Sequence, residues 1–456
     1  MNKGIIGNSR PAASVSAVSS SGLRITKSGD WFAGSPDQVF PLVAPIAIQF
    51  LSAANNETFA AYSGKWTSSN FAYSETPWFA TGGDRILSLV FDDLEGSTGQ
   101  FQPSSMGGIT TLSCPMLKVV IGIAAPNTMS SLTTCHFPQL EYVGNNCSFS
   151  AFDVLTALRF PSLRFVGGQF SPTTCPLVTQ VDVSKLRYVG GNFNMATFGS
   201  LTTLELPSLV AVGGTFSPNT MGSLTTLSCP ALAYSTNGVN LSGLTALTTV
   251  SFPSLRFVPL GSINLTAMVA MTTLSLPDLR YLSNNISISA CPSLANVTLP
   301  SDGRLKTING GITLSSAALT LASVDHILQV MASLDGTNGT TSYGTGKTIN
   351  LSGGTSAAPS NLGSTTTAGS SFVCAGTTCT VNWTAHGYAT GDVLRVSGIT
   401  TATNANRYAV ITVVNANQFT YAITSQTATG AGTATVVKAA ASAKALVTRG
   451  VTLTTN

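Results

Sequence analysis

Charge is scarce in this 456-residue chain. Asp, Glu, Lys and Arg make up 8% of it, about a third of the usual share. The formal net charge of +4 is too weak over such a length to mark a nucleic-acid partner. Long apolar runs are missing too: "LVAPIAIQFL" (42–51) and "LKVVIGIAAP" (117–126) are short and carry prolines, which argues against membrane insertion. The opening "MNKGIIGNSRPAASVSAVSSSGLR" has a Lys but no apolar core of a secretory signal, so assembly in a cytoplasm without export is expected. Histidine is equally sparse. His136, His326 and His386 stand far apart, with no Cys or carboxylate at ligand spacing, so no metal site, cofactor or Ser-His-Asp triad is expected. "GTGKT" (344–348) is no phosphate loop, because the earlier glycine that motif requires falls at Thr341. Disorder is excluded from the other side, since 43% of the chain is apolar.

What is abundant is repetition. Pro115, Pro138, Pro161, Ser184, Pro207, Pro230, Pro253, Pro277 and Pro300 occupy one column, with seven spacings of 23 and one of 24. Each unit reads L-x-x-L-x-L-P-x-L-x-x-V-G-G-x-F, as in Leu201, Leu204, Leu206, Pro207, Leu209, Val212, Gly213, Gly214 and Phe216. No single unit of this length can bury its apolar edge, but stacked units can, by pairing short strands along a row. Leu132, Leu155, Val178, Leu201, Leu224, Leu247, Met271 and Leu294 form one inward column; Leu117, Leu140, Leu163, Leu186, Leu209, Leu232, Leu255 and Leu279 form another. The Gly-Gly or Asn-Gly pairs (167–168, 190–191, 213–214, 237–238, 310–311) are expected where a coil turns with positive φ. Cys114, Cys135, Cys147, Cys175, Cys229 and Cys291 fall in apolar columns and read as reduced core thiols. Cys374 and Cys379 bracket a hairpin tip where a bridge is feasible.

The L-x-x-L-x-L core over about residues 104–330 resembles the leucine-rich repeat. Its 23-residue length and L-P and V-G steps are most similar to the Treponema-type bacterial repeat. The expected fold is therefore a β-rich solenoid of about nine coils. Its organisation is read as an N-terminal attachment or capping domain (1–100), the solenoid (101–318), a C-terminal cap in two parts (319–362 and 437–456) and an inserted small β-barrel (363–436). The N-terminal segment holds Trp31, Trp66 and Trp78, and serves either as a cover for the first coil or as a joint to a larger assembly. "TLASVDHILQVMASL" (320–334) has helical spacing, with Val324, Ile327, Leu328 and Met331 on one face. That helix and the ending "ASAKALVTRGVTLTTN" (441–456) resemble the caps of repeat proteins encoded by tailed bacteriophages and prophages. "HGYATGD" (386–392) with "NANQFT" (415–420) resembles a small β-module of tailed-phage structural proteins.

Two outward columns hold candidate functional residues. Between the leucines of L-x-L stand Ser113, His136, Arg159, Asp182, Glu205, Ser228, Ser251, Ser275 and Thr298. Asp182 and Glu205 on adjacent coils are a candidate carboxylate pair of a retaining glycosidase, strands lying ~4.8 Å apart. The plainer reading is a solvated ladder in which Arg159 offsets Asp182; the neighbouring column is a threonine-rich floor (Thr134, Ala157, Gln180, Thr203, Thr226) and not a cleft. In the second column Arg164-Phe165, Arg187-Tyr188, Arg256-Phe257 and Arg280-Tyr281 recur. Arg beside aromatic rings suits anionic or sugar ligands, unless the rings half-bury and serve as mortar between coils.

The phage resemblances imply a virion protein, most of all a tail fibre or appendage that contacts a host cell-surface glycan or protein. It would be present in several copies per virion and joined to other virion proteins through its N-terminal region. A head-decoration or baseplate component and a polysaccharide depolymerase are the alternatives.

Overall fold

In the computed structural model, the described residues are strands between 4 and 97, residues 101–103, 107–337 and 339–359, and then 361–365, 371–397, 399, 405–424, 428–431 and 435–455. Trp31, Trp66 and Trp78, on which the attachment reading rests, lie outside them. The chain divides into two compact units, Met1–Phe252 and Pro253–Asn456.

In the first unit the coils stack through three parallel ladders. The L-x-L strands Thr111–Ser113, Thr134–His136, Ala157–Arg159 and Gln180–Asp182 form the first ladder. Ile86–Phe91 pairs in the same register, Ser88 with Thr111, so coil pairing extends upstream of residue 100. The second ladder runs Val119–Val120, Tyr142–Val143, Phe165–Val166, Tyr188–Val189, Ala211–Val212 and Tyr234–Ser235. The third begins as single bridges at Ala124, Cys147 and Phe170 and widens into Phe193–Ala196 and Phe216–Asn219. Every pairing joins a residue to its equivalent in the next coil. These pairings hold neighbouring coils at strand spacing; the L-x-L ladder ends at Gln180–Asp182, while the second runs on through Tyr234–Ser235.

The apolar columns point inward together: Leu155, Val178 and Leu201 are 0% exposed. Phe170, Phe193 and Phe216 stack at 5.3 and 5.2 Å between ring centres inside the coils. The six cysteines of the repeat are free and buried. Burial pushes the Cys114, Cys147 and Cys229 thiols far above their ordinary range, and Cys175 up to about 12.

The glycine pairs do not turn the coil as expected. Among them only Gly238 has positive φ, at 106°. The left-handed corners fall instead on Thr128, Ala151, Thr174, Thr197 and Thr220, with φ of 53–63°. Each such corner carries on the order of 1–2 kcal/mol of strain, and bonds between coils hold it: Thr128 N–H to Ser150 O at 3.1 Å and Thr174 N–H to Ala196 O at 3.1 Å. The glycines answer a different need, close approach. A Cβ on Gly167 would lie 2.1 Å from the Gly144 carbonyl oxygen, one on Gly190 2.0 Å from that of Gly167, and one on Gly213 2.1 Å from that of Gly190.

The second unit repeats this pattern. Phe257–Val258, Tyr281–Leu282 and Thr307–Ile308 form its second ladder. Ser262–Thr266, Ile286–Ser289 and Ile312–Leu314 form its third. Helix α1 (Leu321–Ser333) is capped by Thr320, whose hydroxyl accepts the Ser323 N–H. Val324, Ile327, Leu328 and Met331 are its buried face, as the spacing predicts. Its Ser323 Oγ accepts the Val297 N–H at 3.1 Å, and its His326 Nε2 lies 3.0 Å from the Leu299 nitrogen and 2.9 Å from the Leu299 oxygen, beside the last L-x-L strand, Asn296–Thr298. The third ladder continues through Thr348–Asn350 to Thr452–Thr454. Between those two strands the chain forms an eight-stranded antiparallel sheet and helix α2 (Ala441–Thr448). The sheet's core includes Phe372, Val381, Leu394, Ile411, Phe419 and Tyr421. Cys374 and Cys379 face each other across its first hairpin as a disulfide. No helix of the described residues is long and apolar enough to cross a membrane.

Two outcomes follow from this packing. Gly190→Ala should lower stability by more than ~2 kcal/mol, whereas Gly199→Ala, whose Cβ would sit 3.6 Å from its nearest contact, should change it by less than ~0.5 kcal/mol; denaturant titration compares them. Thiol titration of the native protein should leave the six repeat cysteines unmodified, and guanidinium should expose all of them; rapid native labelling would contradict the buried-column packing.

Candidate functional site

Two residues of the L-x-x-V step shape the outward face of the second ladder. The Val turns in (Val143, Val166 and Val189 are 0% exposed), so the preceding aromatic turns out, as strand alternation requires. Tyr142 and Phe165 stack at 5.0 Å with 3° between ring planes, and Phe165 and Tyr188 at 5.1 Å with 16°. Tyr142 and Phe165 are half-buried and Tyr188 is 39% exposed. The rings thus do serve as mortar, face against face, while their edges meet solvent. Arg164 and Arg187 are exposed beside them, and among the described residues their guanidinium groups have no hydrogen-bond or ionic partner. The backbone is fully engaged here: Arg164 O accepts the N–H groups of Arg187 and Tyr188 at 2.9 and 3.3 Å.

In the second unit the same sequence pattern meets different company. Arg256 Nε donates to Asp278 Oδ2 at 2.6 Å, Arg304 reaches Asp278 Oδ1 at 3.3 Å, and Arg280 lies 3.5 Å from the same oxygen. Arg304 also pairs with Asp302 at 2.6 Å. Arg256 and Arg280 are therefore tied down, with Phe257 41% exposed and Tyr281 half-buried beside them. The hydrogen bond from Arg256, aided by Arg304 and the charge of Arg280, holds the Asp278 carboxyl below the ordinary range. Sequence reasoning missed this hub. Its signal was a lone acid in the column Met116, Gln139, Ser162, Lys185, Ser208, Ala231, Ser254, Asp278.

The candidate carboxylate pair fares differently. Ser113, His136, Arg159 and Asp182 follow one another in register, and Ser113 Oγ lies 3.3 Å from His136 Nδ1. The sheet ends at the Asp182 strand, however, and Glu205 belongs to a separate pair of strands, Thr203–Glu205 and Thr226–Ser228. Asp182 Oδ1 accepts the Ser184 N–H at 3.1 Å, a local turn bond. The Arg159 guanidinium donates to the Gln180 side chain on the neighbouring strand. Glu205 is exposed. The two acids stand on neighbouring coils, Asp182 bonded within its own turn and Glu205 open to solvent.

No group of three His, Cys, Asp or Glu among the described residues could hold a metal. His326 is engaged at Leu299, and His386 at the Asn415 carbonyl, 2.9 Å away. A cavity of about 560 Å³ opens between the antiparallel sheet and the final strand, lined by Arg395, Asn406, Arg407, Tyr408 and residues 450–455 among others. None of the sequence-predicted residues reaches it.

No protein-family model matches this chain, and no curated protein does. Among solved structures, a leucine-rich repeat protein from Bacteroides ovatus is similar over 62% of this chain and 91% of its own, at 12% identity and a TM-score of 0.22. Values so low do not superpose the chains. The class to which the molecule belongs, a parallel β-solenoid of 23-residue coils with a leucine-rich-repeat-like pattern, rests on its own register.

Asp278 sets a pH dependence. Its folded pKa is depressed, so its contribution is complete above the ordinary carboxylate range of ~3.9 and is lost as pH falls through the lower folded value. Asp278→Asn should melt below the wild type at pH 7, with the difference closing in strong acid; calorimetry between pH 7 and pH 2 checks it, and a difference independent of pH would exclude the ionic cause.

Proposed function

We propose that the chain is a virion appendage of a tailed bacteriophage, most of all a tail fibre, and that its coil stack binds the host-cell surface. The observation that carries this reading is the Tyr142–Phe165–Tyr188 stack flanked by the unpartnered Arg164 and Arg187. In a chain only 8% charged, two unpaired guanidinium groups beside ring edges form a distinct surface for anionic or hydroxylated groups. Many copies per virion turn such modest contacts into avidity. The phage resemblance of the C-terminal half supports the same reading. Helix α1, in contact with the last L-x-L strand, acts as the first part of the cap. The antiparallel sheet is the inserted module, and the closing strand Thr452–Thr454 is the last part of the cap. The N-terminal region joins neighbouring virion proteins. The depolymerase alternative has less behind it, since the sheet breaks between the Asp182 and Glu205 strands.

Purified protein incubated with bacterial cells and their extracted polysaccharide tests the reading. The wild type should attach and release no reducing sugar. Arg164→Ser with Arg187→Ser should weaken attachment at least tenfold and leave the melting curve unchanged. Undiminished attachment removes the ridge, reducing-sugar release favours the depolymerase, and no attachment at all favours a head or baseplate role.

A further inference from the structure

The aromatic column of the first unit is interrupted once in a way that makes a place for a ligand. Tyr188 pairs in register with Ala211, and Ala211 with Tyr234. The stack Tyr142–Phe165–Tyr188 therefore stops at a methyl group and resumes one coil later. A ring inside the stack has both faces covered by its neighbours. Tyr188 has one face covered by Phe165 and the other turned towards Ala211. Tyr188 is 39% and Tyr234 38% exposed, so both rings reach solvent at the gap. The position before Ala211 is Val210, 39% exposed, and the one before Tyr234 is Ala233, so the floor and near side of the gap are apolar. Arg187, unpartnered, stands at one corner.

We propose that Tyr188, Ala211 and Tyr234 form a slot that takes a single pyranose ring of a host glycan, with Arg187 placed to meet a carboxylate or phosphate on that sugar. The inference rests on the glycan-binding reading above and names its ligand class. Two coils at strand spacing put the tyrosine positions ~10 Å apart, and one ring-sized group fits such a gap, as Phe165 does between Tyr142 and Tyr188 at 5.0 and 5.1 Å. Over Ala211 that ring is missing. A pyranose takes its place with C–H groups against the tyrosine faces and hydroxyls at the open edge in water, and Arg187 favours one that carries an anionic group. Both faces of Phe165 are spent on its neighbours, and the outer face of Tyr142 is turned towards the branched Val119, so the open place is the slot over Ala211.

Ala211→Phe is the informative variant, because it extends a stack the column already tolerates. Calorimetric titration would use two probes of equal length: a neutral β-linked glucose hexasaccharide, and a hexasaccharide alternating uronic acid with N-acetylhexosamine. A third probe, a phosphorylated hexose oligosaccharide, separates carboxylate from phosphate. The wild type should bind at least one probe, the better ones being acidic. Ala211→Phe should lose binding at least tenfold with its melting temperature equal or higher, and Arg187→Ser should erase the preference for acidic over neutral probes. Equal binding by Ala211→Phe and wild type overturns the slot and leaves the surface-binding reading standing. Failure of the wild type to bind any probe, while it still attaches to cells, overturns the sugar assignment alone. Failure of both overturns the two together.

Discussion

Each coil is held to its neighbour by backbone hydrogen bonds between equivalent residues, and the rest of the structure depends on that fixed step. The step places like residues above like residues, so one inward leucine implies a column of them and one inward phenylalanine a stack. It also demands that backbones approach closely along the Gly144, Gly167, Gly190 and Gly213 row, where no Cβ fits. The strained left-handed corners at Thr128, Ala151, Thr174 and Thr220 persist for the same reason, since each is bonded to the coil beyond it. Cooperation between neighbours replaces the deep core of a globular domain.

The same step governs what the surface can do. Outward residues of one column stand ~4.8 Å apart, close enough for rings to stack and for ions to pair. Where the column holds aromatics in succession, as from Tyr142 to Tyr188, they consume one another's faces. Where it holds an acid within reach of arginines, as at Asp278, the charges neutralise locally. At Ala211 the column breaks its rhythm, and among the described residues the Arg164 and Arg187 guanidinium groups have no ionic or hydrogen-bond partner.

Much of this was legible in the sequence, and the exceptions have identifiable causes. The inward columns were readable because burial follows period, and Val324, Ile327, Leu328 and Met331 because a helix face follows spacing. The role of the glycine pairs was not, because the lack of a side chain serves a positive φ and a close contact equally well, and only the distance between coils separates the two. The Arg-aromatic repeats looked alike in both units. One pair was exposed and unpartnered and the other was bound to Asp278, a residue in a different column whose reach across the coil no pattern encodes.

The sequence by itself determined the repeat length, the residues that turn inward, the reduced state expected of the buried thiols and the helix that follows the coils. All of these are properties of a column and need only the period. Tertiary structure decided which outward groups remain available, which acid meets which base, where the L-x-L sheet breaks and how the chain leaves the third ladder after Asn350 and rejoins it at Thr452. The physical reason is that availability depends on what a neighbouring coil brings within a few ångströms. That is a matter of side-chain reach and backbone path, not of periodicity.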